Sequence, residues 1–291
     1  MMRPIVITFA LVALVACRSQ KQPDAYGNFE AEEVTVSAQT SGQLLTFEPI
    51  EGAHLDSGAL VAVVDTSDLA LQRRQMLAQR AAVSARVREV TDQMSVYAVQ
   101  RDIARRNLER TRRLFEQHAA TAQQLDQAER DYKVLNAQIE ATTSQRQTVT
   151  KDAASTDAQV AQIADRIAKS RIRNPQVGTV LTTFAKVGEI VQPSQALYRI
   201  ANLDTLTLRA YIQESQLSSV KLGQKVRVNV DQGHATAGYE GRISWIASKA
   251  EFTPTPVQTR DERTALVYAI KILVPNPKGA LKIGMPADID L

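Results

Sequence analysis

The chain has 291 residues and a mass of 32.0 kDa, with 5% aromatic residues and a single Trp. Long helices rich in Ala, Gln and Arg dilute aromatic rings in this way, so the composition argues against one large globule and for two or three smaller units. The net charge of +4 and pI near 9.2 are a mild basic excess that suits an anionic membrane surface, and the export signal described next argues against nucleic acid as a partner.

Met1-Met2-Arg3 gives a positive start, and Ile5 to Ala16 is an apolar run too short to span a bilayer as a helix. It fits the core of a signal peptide. The run ends in Leu14-Val15-Ala16-Cys17, which has the form of a bacterial lipobox: small residues admit the signal peptidase, and the Cys17 thiol takes up diacylglycerol before cleavage. The other reading is an ordinary signal peptide with an incidental cysteine. Cys17 is the only cysteine of the chain and has no intramolecular disulfide partner, which favours lipidation. Residues 1–16 are then the leader, and 17–32 a polar tether whose acyl chains hold the protein to a membrane without a transmembrane helix.

Residues 33–66 read as short strands, with β-branched and apolar stretches at Glu33–Ser37 and Leu60–Val64 and glycines at 42, 52 and 58. From Ser67 to Arg173 there is neither Gly nor Pro, and Ala, Gln, Arg and Glu dominate. Strand-like sequence returns over 174–203. The two β-segments match each other: Gly42 sets on Gly178, Leu44 on Val180, Gly52 on Gly188 and Leu55 on Val191. After one inserted residue, Leu60 falls on Leu197 and Val63 on Ile200. Chance similarity between β-rich stretches is the alternative. Neither half is large enough to bury a core alone. If the two pack together, they bring the ends of the 67–173 insert side by side.

That insert reads as an antiparallel coiled coil. Steps of three and four run through Val83, Val87, Val90, Met94, Tyr97, Arg101, Ala104, Leu108, Thr111 and Phe115. They run again from Leu125 and Ala128 through Tyr132, Leu135 and Ile139 to Ile163, Ile167 and Ser170. Arg101 and Arg146 interrupt the seams. The arms turn near His118-Ala119-Ala120-Thr121, with Thr121 as N-cap of the second helix and Gln124 completing a capping box. Arms of about fifty residues reach on the order of 75 Å. A compact enzyme has no use for such a rod, whereas a protein that bridges two compartments does.

Residues 204–291 alternate in short strands, among them Leu206–Ile212, Lys225–Val230, Gly241–Ile246 and Leu266–Ile272, which suggests a small β-barrel. A Pro-containing polar loop, Phe252 to Arg263, interrupts them. Catalytic chemistry is not evident. His54, His118 and His234 fall in separate turns with no carboxylates at metal-ligand spacing, and no phosphate-binding glycine loop or Ser/His/Asp set is present. The expectation is no enzyme, no metal and no cofactor.

A lipobox, a split β-domain, a coiled-coil insert and a C-terminal barrel, in this order, resemble the periplasmic membrane-fusion (HlyD-type) adaptor family over nearly the whole mature chain. The loop Phe252 to Arg263 with the following strand looks most like the adaptors of ABC-type efflux or secretion transporters. The resemblance implies an elongated α+β fold: a lipoyl-like barrel-sandwich hybrid, a long inserted hairpin and a small C-terminal barrel. It implies a periplasmic adaptor that links an inner-membrane transporter, ABC type favoured, to a TolC-type outer-membrane channel, and that assembles with itself into a ring, by analogy a hexamer. The family's hairpin tip often carries Arg, Leu and Ser at spacings that Arg110, Leu114 and Thr121 reproduce, with Thr for Ser. Those residues are the expected channel-docking tip; a solvated Arg, a seam-side Leu and a helix cap are the plainer reading. Lipoyl carriers display a lysine on the turn joining their halves; here the hairpin replaces that turn, and Lys186 lies in a loop of the second half. Many members add a membrane-proximal domain after the barrel, for which this chain leaves little room, so contact with the transporter would rest on the barrel and the anchor. Arg18 rather than Asp follows Cys17, so inner-membrane retention is favoured without being fixed by the motif. A lipid-anchored envelope scaffold that uses the coiled coil for assembly without transport is the alternative.

Overall fold

A computed structural model describes residues 24–232, 235–252 and 266–291. The leader, Cys17, Arg18, His234 and the loop 253–265 lie outside them. In chain order, β1 (Ala25–Glu30) is followed by β2 (Glu33–Ser37), β3 (Gly42–Phe47), β4 (His54–Leu55) and β5 (Leu60–Val64), then by helices α1 (Ser67–Glu116) and α2 (Ala122–Lys169). The second β-segment holds β6 (Arg171–Arg173), β7 (Gly178–Thr183), β8 (Ile190–Val191) and β9 (Ala196–Ala201). Strand β10 (Thr205–Gln213), a 3-10 turn (Glu214–Ser219), β11 (Lys225–Gln232), β12 (Ala235–Ile246), β13 (Glu251–Phe252), β14 (Leu266–Pro275) and β15 (Pro286–Asp290) complete it.

The two β-segments interleave into one sandwich. One sheet has the order β2-β9-β7-β4 and the other β6-β5-β3-β8. Exchanging the halves, β2 for β6 through β5 for β9, converts the first order into the second. The backbone hydrogen bonds obey the same exchange. Gly52 N donates to Val180 O and Gly188 N to Leu44 O, both at 2.8 Å; Ala38 N donates to Gln195 O at 2.9 Å and Asn174 N to Ala59 O at 2.8 Å. Glu48 N donates to Val61 O and Phe184 N to Leu197 O, again both at 2.8 Å. This last pair corrects the expected one-residue insertion, since Val61 is the counterpart of Leu197 and the halves align without a gap. A bulge hid the register. The β5–β6 pairing skips Val61 and the β2–β9 pairing skips Leu197, so Val61 and Ala62, like Leu197 and Tyr198, are consecutive residues that both enter the core. The glycine match has a steric cause. A Cβ on Gly178 would sit 2.5 Å from Ala201 O, and one on Gly42 would sit 2.7 Å from the equivalent Asp65 O.

Between the halves, α1 and α2 form the hairpin, 50 and 48 residues long. The expected insert ended at Arg173, but residues 171–173 leave the helix as β6, whose Ile172 is buried in the sandwich core.

The barrel closes through β10-β1-β15-β11-β12-β14, with β14 returning to β10 and β13 lying outside on β14. Its core includes Phe29, Leu208, Ile212, Val228, Ile270, Ile272 and Ile289. Here the expected tether is corrected. Residues 25–30 are a barrel strand paired on both sides, Phe29 against Leu208 in β10 and Ala25 against Ile289 in β15. By Gly27 and Asn28 alone the segment could pass for linker. Buried Ala25 and Phe29, two strand turns apart on one face, are the signal that it is not. Burying Phe29 alone contributes about 2–3 kcal/mol. The three units are therefore nested: the hairpin interrupts the sandwich, and the sandwich interrupts the barrel.

Candidate docking tip of the hairpin

All of the α2 seam positions expected from the three-four spacing are buried or half-buried, with Ala128, Thr142, Thr156 and the C-cap Ser170 the most enclosed. On α1 the same holds from Val83 to Thr111, where Val90 and Leu108 are buried. Phe115 departs from the pattern at 38% exposure, one residue before α1 ends. Arg101 keeps its seam place by turning its guanidinium onto Asp102, with Nη2 at 2.9 Å from Oδ1. That hydrogen bond, reinforced by the charges of Arg101, Arg105 and Arg106, holds the Asp102 carboxyl below the usual carboxylate range. Where the arms meet, Thr143 Oγ1 lies 3.6 Å from Met94 Sδ, and Arg80 pairs with Asp157.

Both sides of the turn are capped by hydrogen bonds. Helix α1 ends in a Schellman arrangement, with Ala119 N donating to Leu114 O at 2.7 Å and His118 N to Phe115 O at 2.9 Å. His118 takes the left-handed position at φ 59°, which glycine usually fills. Helix α2 then starts at Thr121. Thr121 Oγ1 accepts from Gln124 N at 3.3 Å, and Thr121 N donates to Gln124 Oε1 at 2.8 Å. The expected capping box is present.

Arg110 and Thr121 are exposed and Leu114 is 40% exposed, so the three side chains sit at or just below the turn and are open to solvent. Two shallow grooves flank them, one with Ile103, Arg106 and Arg110, the other with Thr111, Leu114 and Ala120; Asn107, Ala128 and Asp131 line both. Arg112 Nη2 reaches Glu129 Oε1 at 3.2 Å and ties the arms together beneath the turn. Arg105, Arg106, Arg110 and Arg113 form no ion pair among the described residues, so this stretch of α1 presents unneutralised positive charge. Sequence reasoning missed the Arg112–Glu129 link and the Schellman turn. Only the latter had a signal, a polar residue that tolerates positive φ directly after the helix.

Among the described residues no group of three or more His, Cys, Asp or Glu is placed to hold a metal ion, and no helix is long and apolar enough to cross a membrane.

No family model matches the chain. It is 27% identical over 99% of its length to a UPF0194 membrane protein of Yersinia pseudotuberculosis serotype O:3 (strain YPIII), covering 98% of that protein. It is 25% identical to a UPF0194 membrane protein of Acidithiobacillus ferridurans over 94% of this chain and 87% of the other. Among solved structures, MacA from Actinobacillus actinomycetemcomitans superposes with a TM-score of 0.65 at 23% identity, over 91% of this chain and 76% of that one. The membrane fusion protein Spr0693 from Streptococcus pneumoniae R6 superposes at 0.60 and 16% identity, over 91% of this chain and 96% of that one. The chain shares the fold of these two proteins. Barrel, split sandwich and inserted hairpin are the parts of that shared fold, and the hairpin ends in the turn described above.

Proposed function

We propose that this protein is a non-catalytic periplasmic adaptor of a tripartite efflux or secretion system. It is anchored by acylated Cys17, in the inner membrane for preference, and links an inner-membrane transporter of the ABC type to a TolC-type outer-membrane channel. Arg110, Leu114 and Thr121 form the docking tip. The observation that carries this reading is the hairpin. Two arms of about fifty residues extend on the order of 75 Å and end in a turn closed by a Schellman cap and a capping box, with His118, Ala119 and Thr121 exposed. A rod with a finished, basic tip is built for contact at a distance.

Self-assembly into a ring, a hexamer by analogy, belongs to the same proposal. The sandwich is twofold in backbone but not in surface: Phe184, Val187 and Ile190 of the second half are exposed where the first half has Glu48, Glu51 and His54. Unlike faces on one unit suit head-to-tail association. Val96, Val99 and Ile103 add an exposed apolar stripe on α1, away from the seam. The same stripe would serve an envelope scaffold that assembles without transport. A photo-crosslinker at Leu114 in living cells separates the two. The adaptor reading expects a crosslink to an outer-membrane channel and sensitivity of a deletion strain to some toxic compound; tip crosslinks that reach no channel overturn it.

A further inference from the structure

We infer that the barrel end around Leu222 is a bilayer-docking surface that seats Leu222 in the headgroup layer of the membrane holding Cys17. The inference rests on the acylation proposed above and goes beyond it, because it gives the folded barrel a lipid contact of its own.

Leu222 is 71% exposed, among the most exposed large apolar side chains described. It is also rigidly presented. Gln224 N donates to Lys221 O at 3.1 Å, closing a tight turn in which Gly223 takes φ 82° and Leu222 occupies the corner. Lys221 N donates to Gln224 Oε1 at 2.9 Å, and buried Val220 pins the turn from below. Gly223 N donates to Ile243 O at 2.8 Å and so fastens the turn to the β12 strand. A side chain left in water by accident does not need this much scaffolding.

The turn lies at the end of the barrel where the described chain begins. Gln216, in the 3-10 turn that leads to it, donates from Nε2 to Asp24 O at 2.8 Å, and Asp24 N donates to Ile289 O at 2.9 Å. Strand β1 runs from this end toward the sandwich, so the hairpin lies on the opposite side. From Asp24 back to Cys17 the chain can span at most roughly 25 Å. Acyl chains on Cys17 therefore keep this barrel end within that distance of the lipid headgroups, at an effective concentration that makes even a weak apolar contact persist. Tyr26, 60% exposed on β1, is an amphipathic ring at the same end.

Charge plays the smaller role. Lys225 is engaged by Glu240 at 2.6 Å, and Asp24 and Glu214 share this end with Lys221 and Arg242. The contact is chiefly apolar, so it should form on zwitterionic as well as anionic lipid.

The test uses the full acylated protein in phosphatidylethanolamine–phosphatidylglycerol vesicles. Acylation consumes the native thiol, so L222C carries the sole site for an environment-sensitive fluorophore, and L114C at the hairpin tip is the control. The expected result is blue-shifted emission from L222C with at least twofold quenching by brominated lipid, and neither for L114C. If the protein floats with the vesicles but L222C is as unquenched as L114C, the docking surface is overturned and the acylation stands. If the wild-type protein does not float, both fall. Shielding of L222C that appears only when a transporter is co-reconstituted overturns the lipid contact in favour of a protein one.

Discussion

Thr121 has two roles to separate, helix cap and docking residue, and its geometry lets the first be given a size. Of the two bonds in its capping box, the one through the Thr121 hydroxyl is long at 3.3 Å, while the Gln124 carboxamide bond to Thr121 N is 2.8 Å. Replacement by Ala removes only the weaker bond. The cost therefore belongs at the low end of the range for caps, about 0.5–1 kcal/mol. That corresponds to amide exchange at Gln124 and Leu125 about two- to fivefold faster, read by hydrogen exchange with mass spectrometry or NMR. Gln124→Ala, which removes the shorter bond, should cost at least as much. Thr121→Ser keeps the oxygen and should exchange as wild type. The capping argument is refuted if T121A leaves exchange unchanged. If T121A abolishes channel crosslinking while exchange changes only fivefold, the hydroxyl acts on the channel as well as on the helix.

Tyr198 provides a pH prediction. Burial pushes its phenol up to about 12, and its OH donates to Asn174 Oδ1 at 3.1 Å. The folded value lies above the unfolded one near 10, so this contribution to stability is whole below pH 10 and is lost as pH rises toward 12. Circular dichroism against pH should show alkaline unfolding of the sandwich that is shallower in Tyr198→Phe; equal steepness counts against the assignment. Gly178→Ala drives a methyl to 2.5 Å from Ala201 O and should cost about 3 kcal/mol, whereas Gly52→Ala meets open space at φ 85° and should cost about 1 kcal/mol. Thermal melts in which the two are equal would contradict the close-approach explanation. Val99→Glu with Ile103→Glu should leave the melting profile intact and abolish higher assemblies in sedimentation velocity; unchanged assembly would remove the α1 stripe from the interface.

The hairpin was legible because helix periodicity survives over fifty residues, and its errors fall where periodicity stops, at Phe115 and at residues 171–173. The internal repeat showed through Gly42 and Gly178, whose close contacts with Asp65 and Ala201 admit no side chain. The bulges at Val61 and Leu197 were invisible, since a bulge breaks the alternation by which strand faces are read. Strand β1 was missed because its partners lie at the far end of the sequence, and no local pattern reports a pairing between Ala25 and Ile289. At the tip, the cap of Thr121 could be read from four consecutive residues. The neutralisation of Arg112 by Glu129 depends on how the arms fold back, and residue type alone does not give it.

The nesting of the three units also orders their birth. On the proposed route of export through a translocation channel, β1 emerges before the other strands and must wait for β10, some 180 residues later, and then for β15. The hairpin needs only its own two arms, and the sandwich needs only the hairpin to have turned back, so both can form while β1 is still a bare edge. The barrel is then the last unit to close, and its closing ties the start of β1 to the end of β15, as Leu291 N donates to Asp24 Oδ2 at 3.0 Å. Loss of β15 would leave a finished rod on an open barrel, with the edges of β1 and β11 unpaired.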